Sequence, residues 1–455
     1  MRKTANGAVA LKSTLSPCVD LFAFVGSARN HPAQALSAFQ RAYAHDPKLA
    51  LRIALWLRDA RGGAGERDTF RNILHWLERR HTAVAAQLAA SGTVQSLGRW
   101  DDLLVLQNGA WPAVVDQVRQ GLLAGDRLLG KWLPRRGPLA AKLASALGVS
   151  AKSWRQQVVS LSDTVEQRIC AGDFASIRYA QVPSVAAARY QRLFRSRDEA
   201  RYDAFIEEVM AGKATMHASA VFPHDIVKAS SFNDEAATAQ WSQIPRPAVA
   251  GDALVLCDVS PSMNCPVSGQ TTAKEVCIAL GLLLSESLPE PFKNQVLTFA
   301  STPEWHLVKG DSLRERADSL RSADWAGSTN IQAAFDAILA RAQAYGGDFK
   351  IPSALVVFSD MEFDRAGLCN PLNHALAREK FAAAGFEAPT LVYWNLNGRL
   401  GNLPAGNEPG VVLVSGFSIK IAELVLSGQF DQLTPENIMR AAVCVPRYDV
   451  PGLTV

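Results

Sequence analysis

The feature that most constrains this chain is a change of hydrophobic period near residue 250. Upstream, apolar residues recur at three-to-four spacing, as in Leu49 to Arg58 and Phe70 to Leu77, which is the signature of amphipathic helix. Further helices are expected near 81–90, 112–124, 150–169, 184–195 and 197–211. Arg61, Gly62, Gly63, Ala64, Gly65 and Glu66 supply a glycine-rich stop between two of them. Residues 213–250 are transitional, broken by Pro223, Pro245 and Pro247. From Asp252 onward, short apolar runs alternate with helical stretches. Strands are expected at 253–257, 295–299, 305–308, 354–358, 390–394 and 411–414, which implies a doubly wound, mostly parallel sheet. The fold class read from this pattern is α followed by α/β. Residues 1–240 are expected to form an irregular helical-repeat region, a HEAT-like solenoid or ring, and residues 251–455 the sheet module.

Composition narrows the function. No apolar run reaches the roughly 18 residues of a membrane span, and no apolar stretch of signal-peptide type follows Arg2 and Lys3. Seven scattered cysteines without a C-x-x-C pair speak against a disulfide framework or a zinc cluster and fit a reducing cytoplasm. Neither a Walker lysine motif nor a G-x-S-x-G elbow is present, so an enzyme is not indicated. Charge is uneven: residues 1–250 hold 32 Lys/Arg against 21 Asp/Glu, whereas residues 251–455 hold 15 against 22. A basic first half suits phosphate, and equally a solvated helical surface.

One motif carries chemistry. Asp258, Ser260 and Ser262 directly follow the first expected strand, at the carboxyl end where doubly wound sheets bind ligands. Thr329, opening a helix, and Asp360, ending a strand, complete a set of five hard oxygen donors. That set suits Mg²⁺, or another divalent cation such as Mn²⁺ or Ca²⁺, rather than zinc. This D-x-S-x-S, Thr, Asp constellation resembles the metal-ion-dependent adhesion site of von Willebrand factor A domains. The resemblance implies that Ser260, Ser262 and Thr329 coordinate directly, and Asp258 and Asp360 directly or through water. Pro261 departs from the glycine of many relatives but leaves the oxygen positions intact.

A wider resemblance covers nearly the whole chain. Asn6-Gly7-Ala8, Leu57 to Gly63, Lys131 to Pro134, Val182 to Ser184, Phe222 to Ile226, Phe358 to Asp364 and Tyr393 to Asn397 look like an uncharacterised family. Its members pair a helical region with a C-terminal A domain, a layout similar to the Ro autoantigen (TROVE) proteins. That likeness implies binding of small or single-stranded RNA by the helical region, with no DNA specificity indicated. The candidate RNA contacts are Arg58, Arg61, Lys131, Trp132, Arg135, Arg136, Arg189 and Arg192. Five of the eight have a structural alternative: Trp132 as core packing, Arg58 and Arg61 as helix-end caps, and Arg189 and Arg192 as members of a salt-bridged helix face with Asp198 and Glu199. Two readings follow. One is a non-catalytic RNA binder whose A domain closes the ring or captures a partner. The other is a scaffold without RNA, whose metal takes an acidic side chain of a partner protein.

Overall fold

The computed structural model describes every residue except 249–251, 300–301, 324–329, 346–348, 365–372, 427–432 and 455. A helical region is followed by a sheet flanked by helices, which is the α then α/β order expected. The first helices begin where local chemistry starts them. Ser16 accepts from the Val19 N–H ahead of the helix Pro17–Val25, and Asp46 does the same for Leu49 ahead of Pro47–Arg58, each with proline in the first turn. The stretch expected as one helix over 150–169 is instead two, Ala151–Leu161 and Val165–Ala171. The break falls at Thr164, whose hydroxyl and the Gln167 side chain form a reciprocal capping box. Helices Arg127–Trp132 and Pro138–Ala146 lie just upstream of that pair. The transitional stretch is more ordered than its prolines suggest. Pro223 sits in the first turn of Pro223–Ala229, and Asn233 caps Asp234–Ser242.

The chain contains ten strands among the described residues. They are β1 (Arg2–Lys3), β2 (Val9–Ala10), β3 (Ala253–Cys257), β4 (Pro266–Ser268), β5 (Thr271–Thr272), β6 (Gln295–Thr298), β7 (Trp305–Leu307), β8 (Ala354–Ser359), β9 (Thr390–Asn395) and β10 (Val411–Ser415). Six form one sheet in the order β10-β9-β8-β3-β6-β7, parallel except for β7, which pairs antiparallel with β6. Counted from β3, this order is 6-5-4-1-2-3, so the winding reverses between β3 and β8. Strands β3, β8, β9 and β10 are buried along their whole length, which is why their sequences read as unbroken apolar runs rather than alternation.

The two halves share a core. One apolar cluster runs from the first helices through the sheet, while a smaller one gathers around Phe194, Tyr202 and Phe205. Helix Pro17–Val25 packs on the edge strand β10. There the Ser415 hydroxyl donates to the Phe22 carbonyl at 2.8 Å and accepts from the Gly26 N–H at 3.0 Å. A Cβ on Gly26 would stand 2.2 Å from the Ser415 carbonyl oxygen, so only glycine permits that approach.

Candidate functional site

The point of reversal between β3 and β8, at the carboxyl ends of both strands, is where doubly wound sheets have their ligand crevice. Asp258 follows β3 and Asp360 follows β8, and both are fully buried. Asp258 Oδ2 accepts from the Ser359 hydroxyl at 2.6 Å, and Oδ1 accepts from the Ser260 N–H at 3.0 Å. The hydroxyls of Ser260 and Ser262 lie 3.0 Å apart. Two turns point these oxygens inward: the short 3₁₀ turn Pro261–Asn264 behind Ser260, and the left-handed Met361 (φ 64°) behind Asp360. Four of the five expected donors thus stand at one strand-end crevice. Thr329 lies outside the described residues.

The electrostatics are those of a site short of positive charge. Burial, then the neighbouring Asp360 carboxylate, push the Asp258 pKa up to about 6, against the hydrogen bonds from Ser359 and Ser260. Burial also raises Asp360, opposed by the Arg399 charge, the Ser262 hydroxyl and the Glu362 N–H. The buried Oδ2 of Asp360 accepts no hydrogen bond from the described residues. Such an atom, among hard oxygens and beside a second carboxylate, fits a small divalent cation held by Asp258, Ser260, Ser262 and Asp360. Among the described residues, no group of three or more His, Cys, Asp or Glu side chains is placed to hold a metal ion, and the donors here are two carboxylates and two hydroxyls.

Glu362 and Asp364 stand just beyond Asp360 in the sequence, but their joining with Arg399 and the N-terminal segment was not foreseen. Glu362, buried, takes Arg399 Nη1 on Oε1 at 2.6 Å, together with the Asn402 amide. Its Oε2 takes the Ala5 N–H, while its backbone carbonyl accepts from the Asn6 side chain at 2.7 Å. The Thr4 hydroxyl donates to Phe363 O at 2.7 Å, and Gly7 (φ 90°) bridges to Asp364. The Asn6-Gly7-Ala8 motif is therefore the docking point of the N-terminal segment on the rim. Arg399 Nη2 stands 3.8 Å from Asp360 Oδ2.

The candidate RNA contacts separate into three groups. Arg58 is buried, with Nε 2.7 Å from Asp102 Oδ2, and Arg71 completes the cluster on Asp101 and Asp102. Its expected place on a ligand surface gives way to an interior ion pair, because Gly98 lets the Arg58 guanidinium lie against the backbone. The exposed Arg61 donates to the Ser96 carbonyl at 3.2 Å. Lys131 pairs with Glu166 at 3.2 Å, and Trp132 is half-buried under the Arg99 guanidinium, 4.1 Å from its ring centre. Arg189 and Arg192 are exposed on the helix Ser184–Arg197, with Arg192 5.9 Å from the Phe232 ring.

Arg135 and Arg136 line a groove of about 700 Å³ between the helices Pro138–Ala146 and Ala151–Leu161. Lys152 and Arg155 share it, no acid contributes to the lining, and Ala140 and Val159 supply apolar wall. Arg136, Lys152 and Arg155 are exposed and make no ion pair among the described residues. The signal for Lys152 and Arg155 stands in the sequence: residues 127–162 contain seven Lys/Arg and not one Asp or Glu. Trp154, beneath the groove, is core; it is 1% exposed and donates to the Pro134 carbonyl at 3.0 Å.

Comparisons with known proteins give no assigned activity. Residues 4–106 and 146–248 match a family model described as a domain of unknown function (DUF2828), and residues 252–443 match another, domain of unknown function DUF7788. The chain is 26% identical to the uncharacterized protein L728 of Acanthamoeba polyphaga mimivirus over 492 residues, spanning 94% of this chain and 84% of that one. The crystal structure of the Deinococcus radiodurans RO (RSR) protein matches 92% of each chain at 17% identity and a TM-score of 0.39. By sequence, the chain is similar to two families of unassigned function laid end to end.

Proposed function

We propose that this protein is a non-catalytic RNA binder. Its helical half holds single-stranded or small structured RNA, in the manner the Ro resemblance implies, and its sheet module carries a divalent-cation site. The observation that carries this reading is the groove between Pro138–Ala146 and Ala151–Leu161, with four cationic side chains and no acid in its lining. Exposed guanidinium and ammonium groups beside apolar wall suit a phosphate backbone with bases laid against the surface. Binding of this kind releases counterions and weakens steeply with salt. The test is to purify the full chain gently at low salt and sequence any retained RNA, beside an Arg135→Gln, Arg136→Gln, Lys152→Gln, Arg155→Gln variant. A discrete RNA population, depleted in the variant and released by salt, is the expected result. Nucleic-acid-free protein that also fails to bind added RNA would overturn it.

A second reading, capture of a partner's acidic side chain without RNA, is favoured by the buried Asp360 Oδ2, which accepts no hydrogen bond from the described residues. Asp258, Ser260, Ser262, Thr329 and Asp360 would hold the cation, Mg²⁺ being the best fit, and the bound cation would supply an open coordination position for a carboxylate. Under this reading Asp258→Ala or Thr329→Ala abolishes partner binding, and a chelator does the same. A partner complex indifferent to the chelator would count against it.

A further inference from the structure

Three carboxylates crowd the crevice and its rim, namely Asp258, Asp360 and Glu362, all buried. The cation facing them is Arg399, whose side chain is 37% exposed. Its two terminal nitrogens are divided. Nη1 is fixed on Glu362 Oε1 at 2.6 Å, and Nη2 is turned toward Asp360 Oδ2 but stops at 3.8 Å, too far for a hydrogen bond. The carboxylate oxygen is thus partly neutralised without being satisfied. Glu362 is also held by the Ala5 N–H on Oε2 and by Asn402 on the Oε1 that takes Arg399, so the carboxylate that fixes Arg399 is itself anchored.

We propose that Arg399 is a resident counter-cation of the Asp258–Asp360 cradle and sets its affinity for divalent metal. This rests on the reading of the crevice as a cation site. With the guanidinium in place, the cradle tolerates its own carboxylates when no metal is bound. An arriving divalent cation meets the repulsion of a positive charge already beside Asp360, and its binding is weakened accordingly. Because Nη2 makes no hydrogen bond to Asp360, the guanidinium yields this position without losing its contact to Glu362. The cradle therefore loads in response to cation concentration instead of holding metal permanently. Removing the charge at position 399 should tighten metal binding, and keeping a charge there should not.

The experiment is a Mn²⁺ titration of the full chain, read by the free-ion electron paramagnetic resonance signal, on wild type, Arg399→Gln, Arg399→Lys and Asp360→Asn. Arg399 is partly exposed, so its variants are expected to fold, which circular dichroism checks. The expected result is about ten-fold tighter Mn²⁺ binding by Arg399→Gln, near wild-type affinity for Arg399→Lys, and loss of binding in Asp360→Asn. Equal affinity of wild type and Arg399→Gln, with binding still lost in Asp360→Asn, would overturn the role of Arg399 and leave the metal reading standing. Absence of Mn²⁺ binding in wild type and Arg399→Gln alike would overturn the metal reading itself and this inference with it.

Discussion

At the scale of single residues, the chain separates charges that hold the fold from charges that face solvent. Arg58 and Arg136 are both arginines of the basic half, yet the first is inside against Asp102 and the second is exposed at the groove. Arg58→Ala takes one of two arginines from the buried Asp102, which keeps Arg71, and we expect a loss of about 2 kcal/mol in urea denaturation, with RNA affinity of the folded protein unchanged under the RNA reading. Arg136→Ala should do the reverse. His224 gives a pH-dependent counterpart. Its ring stacks on Phe222 with centroids 5.3 Å apart, and burial, then the charges of Arg29 and Lys228, pull its pKa down to about 3. An unfolded histidine titrates near pH 6.5, at about its ordinary value. Below that pH the unfolded chain takes up a proton that the folded protein refuses, so stability present above about pH 6.5 is lost as pH falls toward 3. Urea midpoints of the wild type should therefore drop more steeply between about pH 6.5 and pH 4 than those of a His224→Phe variant, which keeps the stacked ring.

At the scale of elements, the helix pair Pro138–Ala146 and Ala151–Leu161 is the unit on which the RNA reading stands. Lys152→Gln with Arg155→Gln should leave the melting temperature unchanged, since both side chains are exposed. It should also lower the slope of log affinity against log salt by about 1.4, two single-strand phosphate contacts having gone. Strands β3, β8, β9 and β10 were legible as unbroken apolar runs, because a parallel strand covered on both faces has no polar side to interrupt it. Asp258, Ser260, Ser262 and Asp360 were legible too, since a strand end followed by alternating oxygens has few other uses. Arg399 and Glu362 were not. What matters about them is a meeting of the turn after β8, the loop after β9 and the N-terminal segment, and no local spacing records it. The fate of Arg58 was equally hidden, because Asp102 lies 44 residues away. The break at Thr164 was visible in principle, as a threonine with glutamine three residues on, but the periodicity on either side masked it.

At the scale of the whole molecule, the two halves are tied at several distant points. Asp59, fully buried, accepts from Arg447 Nη2 at 2.9 Å, from the Tyr448 hydroxyl at 3.1 Å and from the Arg61 N–H at 3.0 Å. The Leu57 to Gly63 motif is thereby joined to residues 447–448, and a Cβ at Gly63 would stand 1.9 Å from the Trp56 carbonyl oxygen. Residues 252–455 produced alone would expose the edge strand β10 where helix Pro17–Val25 now packs. We expect that fragment to self-associate in light-scattering chromatography, since an uncovered apolar edge recruits other strands; a monodisperse monomer would show that the halves fold independently. The contact between Phe22 and Ser415 spans 393 positions of the chain. On a ribosome making roughly 5–20 residues per second, the first helix would wait about 20–80 s for the strand it packs on. During synthesis its Leu21, Phe22 and Phe24 side chains are thus natural clients for whatever shields nascent apolar surface until β10 emerges.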